Sequence, residues 1–283
     1  MSSINRNPLT SGMGSIKSLL NFNKKDKKYI ALQNDDKLLL SFIAKNKYID
    51  DIAAKILLNK KNDRAFWRRI RKLKEYVYIR KSKVIIASAN WGVKPPLVTV
   101  FSLDSAACDL YHVKKIKTVG IQGEHLKHNL FVRRVAAIFE KLKTNGSPFD
   151  YEIEAVLDEY SDKIYIDKNN KYKIRPDIFL SLFNILFEIE LTIKPDKNHY
   201  GKRLFWSQYL KKYDKTVWLV ENQNDKEKLI KIFSNFAGES FKYDLVLDKK
   251  MIFTDVLNQN LVVVLDDFFD NPEHFFRVWS GLN

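Results

Sequence analysis

The run Arg175-Pro-Asp-Ile-Phe-Leu-Ser-Leu-Phe-Asn-Ile-Leu-Phe-Glu-Ile-Glu-Leu-Thr-Ile-Lys194 sets Asp177, Glu188, Glu190 and Lys194 into an otherwise apolar stretch. Phe179, Leu180, Leu182 and Phe183 read as one strand, Asn184-Ile185 as a turn, and Leu186 to Ile193 as the return strand of a hairpin. Side chains alternate along a strand, so Glu188, Glu190, Thr192 and Lys194 share one face, while Phe187, Ile189, Leu191 and Ile193 take the other and face a core. Asp177 falls across from the acidic face. The long apolar runs and the flanking Pro-Asp predict a central strand. Three carboxylates on one rigid surface repel one another unless a cation or a proton sits between them. Hard oxygen ligands point to Mg2+ or Mn2+, and a lysine on the same face can orient a metal-bound water or neutralise a phosphate, which describes metal-assisted phosphodiester hydrolysis. The competing reading makes Glu188, Glu190 and Lys194 the solvated face of an ordinary amphipathic strand, joined by cross-strand salt bridges.

The charge of the whole chain points to a polyanionic partner. The 283 residues carry a formal net charge of +15, with 45% hydrophobic and 13% aromatic residues, enough for real cores in one large or two ordinary domains. Residues 1–120 hold 25 Lys and Arg against 9 Asp and Glu, a surplus of 16, whereas residues 121–283 hold 24 against 25. A basic module joined to a near-neutral one fits binding of nucleic acid by the first part and local chemistry in the second. Cys108 is the only cysteine, which excludes an internal disulfide and a cysteine zinc site. With no membrane-length apolar run and no signal-like start, a cytoplasmic location is expected.

Residues 1–30, which carry the run Lys24-Lys25-Asp-Lys27-Lys28, have the composition of a flexible basic tail. From Asp35 the periodicity is helical. Leu38, Leu39, Phe42 and Ile43 mark a first helix, and Ile52, Ala53, Ile56 and Leu57 a second that opens after Asp50-Asp51. In a third, Phe66, Ile70, Leu73 and Val77 form an apolar row, and Arg64, Arg68, Arg69, Arg71 and Lys72 supply cations. Two strand-like runs follow, Tyr76 to Ile86 with Lys81 and Lys83, and Leu97 to Phe101. This is the layout of a winged helix over residues 31–115, whose third helix enters the major groove of double-stranded DNA. Which bases it reads is not encoded in the pattern, because arginine contacts guanine edges and phosphates alike.

Beyond a linker near Lys114-Lys115-Ile-Lys117, a long helix spans about Gly123 to Lys143. A further helix from about Asn198 to Lys212 presents Lys202 and Arg203, both able to meet a phosphate. Thr216–Val220 reads as a buried strand, Asp225–Phe236 as a helix and Tyr243–Leu247 as a strand, so strands alternate with helices as in an α/β sheet. Leu261–Leu265 and the acidic residues after it read as a C-terminal addition.

The pattern Arg175-Pro-Asp, hairpin, Glu188-Ile-Glu-Leu-Thr, Lys194, then Tyr200, Leu204 and Tyr209, resembles the replication-relaxation family of plasmid and mobile-element proteins, including MobC-type relaxases. The resemblance runs from about Asp35 to Leu247. It implies an α/β (α+β overall) chain in which the winged helix precedes a three-layer domain of the PD-(D/E)xK restriction-endonuclease type over 118–283. It also implies a sequence-directed, metal-dependent DNA endonuclease, of the nickase or relaxase kind. Asp177, Glu188 and the Ile189 carbonyl would hold the metal, Glu190 would complete the site, and Lys194 would position the attacking water. The usual motif ends in Glu-x-Lys. Here Glu190 stands where the lysine would be, and Lys194 replaces it from further along. In this family a His-rich segment opens the long helix, which makes His128 and Glu140 further candidates, and a relaxase can use a tyrosine nucleophile, Tyr200 or Tyr209. A second copy of the chain and replication or conjugation proteins are the candidate further partners. The alternative is an inactive, DNA-binding regulator whose nuclease-like domain serves dimerisation or partner binding.

Overall fold

The computed structural model describes residues 30–60, 63–86, 97–116, 125–146, 150–153, 165–167, 170–171, 176–194, 199–201, 204, 215–236, 240–242, 250–252 and 256–275. The fold is mixed α/β, and residues 32–283 belong to one compact unit.

Helix α1 (Asn34–Asn46) is followed by the short strand β1 (Tyr48–Asp50), α2 (Asp51–Leu57) and α3 (Asp63–Glu75). Asp36 starts α1 by accepting the Gln33 N–H at 2.6 Å, and Asp50 starts α2 by accepting the Ala53 N–H at 2.8 Å. Strands β2 (Ile79–Ile85) and β3 (Leu97–Leu103) pair antiparallel, and β1 adds to the far side of β3, giving the order β1-β3-β2. Helix α3 buries Phe66, Ile70 and Leu73 as its spacing predicts. It ends at Glu75, so Val77 leaves the apolar row: it sits 40% exposed with a positive φ of 62°. A short helix α4 (Ser105–Tyr111), not apparent in the periodicity, buries Cys108.

Helix α5 (Leu126–Thr144) is the long helix. Leu126 and Leu130 pack with Tyr48, Val84 and Val100 of the three-stranded sheet. Arg133 donates to the Asn46 carbonyl at 2.9 Å and stacks over Tyr48, and Arg134 pairs with the fully buried Asp50 at 2.7 Å. On the other side Phe139 meets Phe187 of the larger sheet with ring centroids 5.1 Å apart. Helix α5 thus packs against both the three-stranded sheet and the larger sheet.

The larger sheet comprises β4 (Tyr151–Ile153), β7 (Ile178–Leu180), β8 (Ile185–Glu190), β9 (Lys215–Val220) and β12 (Asn260–Val264), in the order β12-β9-β8-β7-β4. Strands β5 (Tyr165–Asp167) with β6 (Asn170–Lys171), and β10 (Ser240–Lys242) with β11 (Lys250–Ile252), form two small ribbons. The last helices are α6 (Gln223–Ser234), α7 (Val256–Gln259) and α8 (Leu265–Asp270). Strands β8, β9 and β12 are parallel, and β7 and β4 continue antiparallel. Helices cover both faces. Phe187 packs on Phe139 of α5 and Phe268 of α8, while Trp218 packs on Tyr200 and on Phe233 of α6. The stretch read as a C-terminal addition is part of this core, because β12 pairs with β9 along its whole length and Asn260 accepts the Trp218 indole N–H at 2.9 Å.

The hairpin differs from its sequence reading in two places. A 3-10 turn at Ser181–Phe183 and Asn184 in the left-handed conformation, φ 54°, replace the second half of the first strand and the two-residue turn. Strand β8 is central and buried at all six positions, yet it ends at Glu190, with a bend at Leu191-Thr192. Thr192 and Lys194 are therefore not on the strand face with Glu188 and Glu190. The predicted strand Tyr243–Leu247 lies outside the described residues.

Candidate active site

Strand β7 runs antiparallel to β8 with Ile178 opposite Phe187, so Asp177 enters the sheet at the carboxyl end of β8, one step beyond the last paired residues and alongside Glu188. Its side chain crosses to the neighbouring strand, where Oδ2 accepts the Ile189 N–H at 2.7 Å. Glu188 and Glu190 point to the same face of β8 and are 6% and 9% exposed, too buried for the solvated face that was the competing reading. In open α/β sheets this place, outside the carboxyl ends of parallel strands, is where ligands bind. Helix α5 directs its first turn to it. Lys127 there pairs with Glu221, just beyond β9, at 2.6 Å, and His128 Nε2 reaches Asp177 Oδ2 at 3.0 Å. Burial alone would lower the pKa of His128. The hydrogen bond and charge of Asp177, with Asn129 and the Glu188 charge added, outweigh that and raise it above the ordinary histidine value.

Lys194 reaches the site by another route. Its main-chain N–H donates to the Tyr200 hydroxyl at 3.0 Å, and its ammonium lies 3.4 Å from His199 Nε2, which is 3.8 Å from Glu190 Oε2. His199 is a residue that the sequence reading missed. A lone histidine shortly after Pro195 has no spacing that marks it, and only the return of the chain after Glu190 brings it to the carboxylates. Tyr200 is fully buried, packed on Trp218 and holding Lys194, so it is a core anchor and not an accessible nucleophile. Glu140 lies twelve residues from His128 on α5, about 18 Å away at 1.5 Å per residue, and accepts the Tyr151 hydroxyl at 2.8 Å; it belongs to the other end of the helix. Lys202, Arg203 and Tyr209 lie outside the described residues.

Mg2+ is typically held by one or two carboxylates, keeping waters for its remaining positions; here Asp177 accepts the Ile189 N–H, and Glu188 is the preceding residue of β8. Among the described residues, no three His, Cys, Asp or Glu side chains are drawn close enough to hold a metal ion by themselves.

The cations of the N-terminal part form a separate surface. Arg64, Arg68, Arg71 and Lys72 are exposed on α3, and Lys81 and Lys83 are exposed on β2. The Lys81 ammonium stands 4.4 Å over the Trp67 ring, which joins the strand to the helix. Arg69 departs from this set: its guanidinium is held by the buried Asp36 of α1, with Nε 2.6 Å from Oδ1, so its charge is already matched inside the fold. No helix among the described residues is long and apolar enough to cross a membrane. No family model, curated protein or solved structure significantly matches the chain.

Proposed function

We propose that this chain is a DNA-binding, divalent-metal-dependent endonuclease of the nickase or relaxase kind, built from a winged helix and a nuclease-like sheet of the PD-(D/E)xK type. The observation that carries the reading is the Asp177–Ile189 contact, which sets one carboxylate beside Glu188 at the carboxyl end of a buried central strand. The helix and strand order of the N-terminal part and the cations of α3 and β2 support duplex DNA as the substrate. Asp177, Glu188 and the Ile189 carbonyl would hold Mg2+ or Mn2+. When bound, such a cation supplies Lewis-acid stabilisation of phosphate charge and a more acidic water. His128 holds Asp177 in orientation, and Lys194 offers its ammonium to a phosphate next to Glu190. The metal-holding residues are the ones that the resemblance to the replication-relaxation family implies.

A second reading, an inactive sheet serving a DNA-binding regulator, is favoured by the lack of a three-donor cluster among the described residues. Supercoiled plasmid separates the two. Conversion to open-circle or linear DNA in Mg2+ or Mn2+, and not in EDTA, is expected of the enzyme; binding without conversion in any divalent metal supports the regulator.

A further inference from the structure

The structure points to His199 as the residue that delivers the Lys194 ammonium to the carboxylates, an inference that rests on the nuclease reading above. Strand β8 stops at Glu190 and the chain bends at Leu191-Thr192, so Lys194 has no strand register to hold it against the acidic face. Two contacts replace that register. The Tyr200 hydroxyl fixes the main chain by accepting the Lys194 N–H at 3.0 Å, and Tyr200 is itself locked among Trp218 and Phe233. The His199 ring packs edge-on against Tyr200, centroids 5.1 Å apart, which fixes where its Nε2 stands.

An ammonium has three donors and no acceptor. A hydrogen bond across the 3.4 Å from Lys194 Nζ to His199 Nε2 therefore requires Nε2 as the acceptor, with the ring proton on Nδ1. The 3.8 Å from Nε2 to Glu190 Oε2 is too long for a hydrogen bond, so the ring spaces the ammonium from the carboxylate without donating to it through Nε2. Lys194 is exposed, which leaves its other donors open to a phosphate approaching Glu190. His199 is thus a positioning residue acting through Lys194. It holds the ammonium of a lysine outside the strand on the side of His199 that faces Glu190.

Two measurements test this. In EDTA, nitrogen-detected NMR of the imidazoles, with His199→Gln identifying the signal, is expected to show His199 as the Nδ1–H tautomer in wild type and as the Nε2–H tautomer in Lys194→Met. In Mg2+, single-turnover plasmid cleavage is expected to fall by about 10²-fold in Lys194→Met and in His199→Ala, the lower end for a positioned group. The double variant should fall no further, since the two act as a unit, and His199→Gln, whose amide oxygen can accept from Lys194, should recover most of the rate. An Nε2–H tautomer in wild type, or additive losses in the double variant, overturns the assignment. Wild-type rates in His199→Ala beside a dead Asp177→Asn overturn it while leaving the nuclease reading intact. A wild-type chain that cuts nothing overturns both.

Discussion

Salt dependence would separate the cations proposed to meet DNA from Arg69, which serves the fold. Arg64, Arg68, Arg71, Lys72, Lys81 and Lys83 are exposed around α3 and β2, whereas Arg69 is bound to Asp36. If each of the exposed six neutralises one phosphate, log K falls against log salt with a slope of about −5, because each phosphate contributes about −0.9. Between about 50 and 200 mM salt that is a loss of roughly 10³ in affinity. Replacing Arg68 and Arg71 with glutamine should bring the slope to about −3.5, and the loss over the same range to roughly 10². Arg69→Gln should leave the slope unchanged and instead lower stability by about 1–3 kcal/mol, because Asp36, 1% exposed, loses its charged donor. Fluorescence anisotropy of a labelled duplex at several salt concentrations, with urea unfolding of each variant, gives both quantities. A slope unchanged in the Arg68 and Arg71 double variant, or one reduced equally by Arg69→Gln, would refute the placement of DNA on this face.

Other outcomes follow from the contacts of α5. Asp177 raises the pKa of His128, so His128 stabilises the fold chiefly as the cation; that contribution is complete below the ordinary histidine value of about 6.5 and is lost as pH rises through the raised one. In EDTA, the stability advantage of wild type over Asp177→Asn should therefore be larger at about pH 5.5 than at about pH 9, and an advantage independent of pH would count against the pair. Arg134→Met strips Asp50, which is fully buried, of its charged partner and should cost about 3–5 kcal/mol in chemical denaturation. A loss below about 1 kcal/mol would mean that Asp50 is protonated in the fold, a state toward which burial, despite Arg134, already pushes it.

Much of the fold is legible in local pattern. The rows Leu39, Phe42, Ile43 and Phe66, Ile70, Leu73 mark buried helix faces, and the unbroken apolar run of β9 marks a central strand. The local pattern does not say where a strand loses its neighbours. Thr192-Ile193 is as strand-like as what precedes it, yet pairing ends at Glu190, and this misplaced Lys194. Nor does it name distant partners. Strand β12 joins β9 from 44 residues away, as Asn260 opposite Thr216 records, and Arg69 meets Asp36 across 33 residues. Asp177 and Glu188 were legible because they sit on the two arms of one hairpin, whereas His199 needed the tertiary path of the chain after the sheet.

The most direct measurement is metal-dependent cleavage of supercoiled plasmid by wild type, Asp177→Asn and Glu188→Gln, with binding of the same DNA followed in parallel. The expected result is cleavage by wild type in Mg2+ or Mn2+ and none by either variant, with duplex affinity the same in all three, because α3 and β2 are untouched. Cleavage by Asp177→Asn or Glu188→Gln at the wild-type rate would contradict the assignment of these carboxylates.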